Sequence, residues 1–110
     1  MRVEQKQVTQ LTISDATDLD PISVVIEDSA PGHGQIIITC YGRSWTACWG
    51  GMSGDKLAQF FIRVSAGYIV PCLVRGMART LRSDEKREEA YLVRIVEAVQ
   101  AALRLQGGAT

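Results

Sequence analysis

Between residues 7 and 49 the chain alternates apolar with polar side chains, and from Leu57 onward the apolar positions recur every third or fourth residue. A period of two sends successive side chains to opposite sides of a strand, whereas a period near 3.6 lines them along one face of a helix. A chain that does the first and then the second builds a sheet and packs helices on it afterwards, without interleaving the two. The predicted fold is therefore α+β: a four-stranded antiparallel meander sheet followed by two to three helices packed on one face.

The strands are predicted at 7–13, 22–28, 35–41 and 44–49. The first is rich in β-branched residues (Val8, Thr9, Thr12, Ile13), which suit a half-buried pleated surface. Ser14 to Pro21 concentrates Asp15, Asp18 and Asp20 and reads as a loop. In the second strand Ile22, Val24 and Ile26 oppose Ser23, Val25 and Glu27. Residues 29–34 (Ser29, Ala30, Pro31, Gly32, His33, Gly34) are turn-formers throughout and predict a long hairpin loop. In the third strand Ile36, Ile38 and Cys40 oppose Ile37, Thr39 and Tyr41. A turn centred on Gly42 and Arg43 would set Cys40 opposite Trp45 and Cys48 opposite Ile37. Trp45, Ala47 and Trp49 then share the Ile36–Ile38–Cys40 side, which is the predicted core face.

Glycines 50, 51 and 54 end the sheet. Leu57, Phe60, Phe61 and Val64 form a helical stripe predicted to cover both tryptophans, in a helix at 54–66 that Gly67 stops in a left-handed conformation. Pro71 starts or kinks a short helix at 69–75. Ser83 caps a last helix at 83–106, with Asp84 and Glu85 against its positive end, Leu92, Ile95, Val96, Val99 and Leu103 as its stripe, and Gly107 as its stop. At roughly 33 Å this helix outreaches a small sheet, so one end projects or packs on a second copy.

At 110 residues the chain suits one domain spanning 1–110, and a hydrophobic fraction of 46% with 22% charged residues is that of an ordinary globular protein. Its apolar runs are too short for a membrane span, and no apolar stretch follows the charges of Met1 to Gln7, so a cytoplasmic location is expected by default. Twelve basic and twelve acidic residues cancel, which removes the overall attraction on which most sequence-independent nucleic-acid binders depend. The balance is uneven, since residues 1–35 hold six acids against two bases.

Three cysteines (Cys40, Cys48, Cys72) with no short paired spacing argue against zinc and redox motifs, and the expected register sets Cys40 and Cys48 on opposite faces. All three are read as reduced, mostly buried small hydrophobes. No catalytic residue, metal ligand or cofactor is expected. Gly50 to Lys56 lies between a strand and a helix, as phosphate loops do, but Asp55 precedes Lys56 and Leu57 follows, where a hydroxyl is needed. His33 would have to serve any Ser–His or Cys–His pair alone, and an exposed loop histidine needs no such role. Asp15, Asp18 and Asp20 lack the glycine and distant glutamate of a calcium loop. Trp45 and Trp49 could stack bases, but leaving their face wet would forgo burial worth about 25 cal/mol per Å².

Two surfaces remain. An outer sheet face bearing Val25, Ile37, Thr39, Tyr41, Thr46 and Cys48 is more apolar than a free surface needs and suits a protein partner or a second copy of the chain. Arg75, Arg79, Arg82 and Lys86 fall on one face of a continuous helix, and offer phosphate contacts as the alternative.

The run Asp20-Pro21 through Glu27-Asp28, Pro31-Gly32, Gly34, Cys40-Tyr41-Gly42, Trp45-Thr46 and Trp49-Gly50, continued by Ala58-Gln59-Phe60-Phe61 and Gly67-Tyr68, resembles a group of short proteins of temperate tailed phages and prophages for which no activity is established. The resemblance covers roughly residues 8–75. It implies an early-region accessory protein in the host cytoplasm and carries over no catalytic residue. Together with the missing constellations it favours a non-enzymatic protein–protein interaction module, acting against host defence or in recombination, with single-stranded nucleic-acid binding as the alternative.

Overall fold

The computed structural model describes residues 1–75 and 82–108. Strands β1 (Thr9–Ile13), β2 (Ile22–Ala30), β3 (His33–Cys40) and β4 (Arg43–Trp49) precede helices α1 (Leu57–Arg63), α2 (Ala66–Val74) and α3 (Arg82–Gly108). The sheet is antiparallel throughout and its spatial order is the chain order. Ile22, Val24, Ile26, Ile36, Ile38, Cys40, Trp45 and Ala47 are all buried on the face predicted to be the core.

Both hairpins differ from expectation, one in position and the other in length. Tyr41 (φ 52°) and Gly42 (φ 74°) together form the β3–β4 turn, and two adjacent positive φ values match the right-handed twist of the strands. The turn is thus centred one residue earlier than predicted: Cys40 faces Arg43, Ile38 faces Trp45 and Cys48 faces Gln35. The pairing moves by two positions, and a two-residue slip leaves every side chain on its face. Arg43, freed from the turn, stacks its guanidinium 5.2 Å from the Trp45 ring and forms an ion pair with Glu88 on α3.

The predicted six-residue loop at 29–34 is a two-residue turn, Pro31-Gly32, with an irregularity between Asp28 and Ala30. Gly32 has φ 77°, and its carbonyl accepts from the Met52 amide at 3.2 Å. A Cβ on Gly34 would stand 3.1 Å from Leu57 side-chain carbons and from the Glu27 carbonyl. Gly34 therefore belongs to the ladder, where its missing side chain lets α1 approach β3.

The stop of α1 is not Gly67. Val64 and Ser65 are extended, and α2 starts at once with Ser65 as its cap, whose hydroxyl accepts from the Tyr68 amide at 3.3 Å. Gly67 lies in the first turn of α2 and Pro71 inside it. Two distant residues hold the ends of α1. The Asp28 carboxylate accepts from the Leu57 amide at 2.7 Å, and the Gln100 side-chain amide donates to the Phe61 and Val64 carbonyls at 2.9 and 2.8 Å. Free helix ends need such partners when buried.

Helix α3 has 27 residues and includes both Ser83 and Gly107, which were expected to bound it. Its stripe of Leu92, Ile95, Val96, Val99 and Leu103 is buried as predicted. The tryptophans are not covered together. Trp45, 1% exposed, meets Tyr91 of α3 edge-on at 6.2 Å, whereas the aromatic rings of α1 pack on Trp49, Phe60 at 5.3 Å and Phe61 at 6.5 Å. No helix among the described residues is long and apolar enough to cross a membrane.

Candidate functional site

The outward side of the sheet follows from the register. It presents Gln10 and Thr12 of β1, Ser23, Val25 and Glu27 of β2, Gln35, Ile37 and Thr39 of β3, and Ser44, Thr46 and Cys48 of β4. Of these eleven positions only Glu27 is charged, and Lys6 pairs with it at 3.6 Å. One cross-strand row runs Gln10, Val25, Ile37, Thr46, and the next runs Thr12, Ser23, Thr39, Ser44. In the second row the Thr39 and Ser44 hydroxyls are hydrogen-bonded at 3.1 Å.

Val25, Ile37 and Thr39 are half-buried and Thr46 is exposed, so the predicted partner-binding residues do share this face. Tyr41 is the exception. It stands in the turn at the end of the sheet and is 77% exposed, because the left-handed conformation takes it out of the strand. Cys40 is buried, Cys72 half-buried and Cys48 exposed, which corrects the reading of all three as mostly buried. The placement of Cys40 and Cys48 on opposite faces holds.

The basic set does not form a single stripe on one described helix. Arg75 closes α2, Arg82 and Lys86 belong to α3, and Arg79 lies outside the described residues.

At the Pro31-Gly32 end of the sheet an open hollow of about 330 Å³ is ringed by Glu27, Ser29, His33, Gln35, Cys48 and Trp49. His33 is the first residue of β3 and not a loop residue, as had been expected. Thiol, imidazole and carboxylate all border this hollow, but no side-chain hydrogen bond links Cys48 to His33, or His33 to an acid, among the described residues.

The Gly50–Lys56 segment is engaged in structure. The Met52 and Asp55 amides bond to the Gly32 and Met52 carbonyls, and the first amide of α1 already holds the Asp28 carboxylate. In the acidic loop Asp15 (φ 64°) and Asp18 (φ 57°) take left-handed backbone, which short polar side chains tolerate. Arg94 of α3 binds the Thr17 and Asp18 carbonyls at 3.4 and 3.0 Å. No three His, Cys, Asp or Glu side chains converge on a metal position among the described residues.

Among the described residues one ionisable group is strongly perturbed. The Tyr91 hydroxyl lies 3.3 Å from the Cys40 sulfur, and that hydrogen bond, with burial and the negative fields of Cys40 and Asp20, pushes its pKa up to about 12, against the opposing pull of Arg43. It sits on the core side of the sheet and serves packing.

Sequence reasoning missed the margin between β4 and α2, where an open groove is bordered by Thr46, Cys48, Trp49, Tyr68, Cys72 and Arg75. The usable signal was that the last strand of a meander is always an edge, and that 44–49 contains no charge.

Residues 1–86 match a family model, Phage_phiTE_072, described as a phage family. No curated protein and no solved structure matches the chain.

Proposed function

The chain belongs to this phage family, and from that premise we propose that it is a non-enzymatic accessory module that works by binding a protein of the host or of the phage through the outer face of its sheet. The observation that carries the reading is the composition of that face. All three helices pack on the other side, and one charge in eleven outward positions is far below what a solvated strand surface normally carries. Depletion of charge is the compositional mark of an interface core.

Ile37→Lys tests this directly. It puts a charge at the centre of the face without touching the core, so the thermal midpoint should stay within a few degrees while the proteins retained from a lysate of infected cells, or a dimer seen by light scattering, are lost. Wild type and variant retaining the same proteins, with a strict monomer for both, would remove the idea. The nucleic-acid alternative has weaker support, because its described basic residues are divided between the end of α2 and α3. An oligonucleotide titrated at low and high salt is the control, since phosphate binding weakens steeply with salt.

A further inference from the structure

Strand β4 is the last of an open sheet, and the turn before it determines which of its backbone groups face outward. Cys40 and Arg43 close a two-residue hairpin whose turn residues both have positive φ, so they form a hydrogen-bonded pair. Pairs alternate along an antiparallel ladder, which makes Trp45 and Ala47 the residues bonded to β3. The N–H and C=O groups of Ser44, Thr46 and Cys48 consequently point away from the sheet, and no turn or loop bond among the described residues uses them. Natural edge strands are commonly guarded by charge, proline or a covering element, yet β4 has no proline, and its one charge, Arg43 beside the turn, is paired with Glu88 of α3.

Helix α2 runs beside this edge without closing it. Between them lies the open groove of about 370 Å³, with Thr46 and Cys48 on the strand side and Tyr68, Cys72 and Arg75 on the helix side. Two aromatic side chains, Trp49 and Tyr68, line it, and buried Phe60 packs against both, 5.3 Å from Trp49 and 6.1 Å from Tyr68. Arg75 is the single charged residue lining the groove, is exposed, and has no acidic partner among the side chains of residues 1–75 and 87–106.

We propose that this groove takes an extended peptide as a fifth strand beside β4, with a carboxylate of the peptide, at its chain end or on an Asp or Glu side chain, held by Arg75. Backbone bonds from Thr46 and Cys48 supply sequence-independent affinity, Trp49 and Tyr68 take an apolar side chain, and the guanidinium sets the charge requirement. The proposal rests on the binding-protein reading but uses the edge of the sheet, which shares Thr46 and Cys48 with the outer face and not its centre at Ile37, so the two can fail separately.

The test pans the immobilised full-length chain against random octapeptides, once with free C-termini and once amidated. Expected are peptides that bind wild type at least about ten-fold more tightly than Arg75→Ala, lose binding when alternate backbone amides are N-methylated, and bind Ile37→Lys as well as wild type. Amidation weakens those read by the chain end, and Asp→Asn or Glu→Gln in the peptide weakens those read by a side chain. Thr46→Pro should also abolish binding, because it removes an outward N–H that the sheet does not use. The N-methylated probes report the same bonds without altering the protein, should that variant fail to fold. No peptide preferring wild type over Arg75→Ala, or binders indifferent to N-methylation, would overturn the proposal. So would a dimer joined edge to edge through β4, which would give the edge to a second copy, and so would binders lost in Ile37→Lys, which would assign them to the outer face.

Discussion

Gln100 is the one buried polar side chain among the described residues, 6% exposed, and it caps two carbonyls of another helix. Replacing it with leucine keeps the volume but leaves the Phe61 and Val64 carbonyls without their donor. The expected loss is about 2 kcal/mol, read from urea denaturation. Tyr91 shows a different dependence. Its folded-state pKa lies above the ordinary value of 10, so the fold favours the neutral phenol. That contribution is complete below pH 10 and disappears as pH rises through about 12. Denaturation midpoints compared between pH 9 and pH 11.5 should fall further for wild type than for Tyr91→Phe. The Trp45 indole N–H is buried without an acceptor among the described residues, so Trp45→Phe relieves an unpaired donor while opening space beside Tyr91. It should cost less than the roughly 3–5 kcal/mol usual for truncating a buried tryptophan to alanine.

At the scale of elements, α1 is short enough that its place depends on its neighbours. Seven residues cannot hold a helix in water by themselves, and here Asp28 takes one end, Gln100 the other, and Gly34 opens the space for Leu57. Gly34→Ala would push a methyl to 3.1 Å from both backbone and side chain, and should cost about 1–3 kcal/mol by thermal or urea unfolding. These supports explain why the helix boundaries were the least legible part of the sequence. The partners of α1 lie 29 and 36 residues away, beyond any local window. Gly67 looked like a stop because glycine commonly ends helices, but the Ser65 cap made it the opening turn of α2 instead.

For the molecule as a whole, the two faces of the sheet are its organising asymmetry, and its thiols report on them. Cys48 is exposed on the outer face and Cys40 is 1% exposed in the core. A thiol reagent should modify Cys48 rapidly and reach Cys40 only on unfolding; comparable rates would mean the faces are wrongly assigned. The candidate surface was legible in the same way, because alternation alone gathers Val25, Ile37, Thr39 and Thr46 on one side. The groove beside β4 was not, since it needs α2 laid against the edge, and α2 meets β4 only after the chain has turned twice.

Which side chains share a face was decided by the sequence, since alternation and 3.6-residue spacing are local properties that survive a shift of turn or register by two. Sheet order, the α3 stripe and the dry side of the strands all follow from them. Tertiary structure alone decided which helix covers which tryptophan, where α1 ends, and that Arg75 stands at the mouth of a groove. Those outcomes depend on hydrogen bonds and contacts between residues far apart in the chain, whose energies exist only once the sheet and helices have come together.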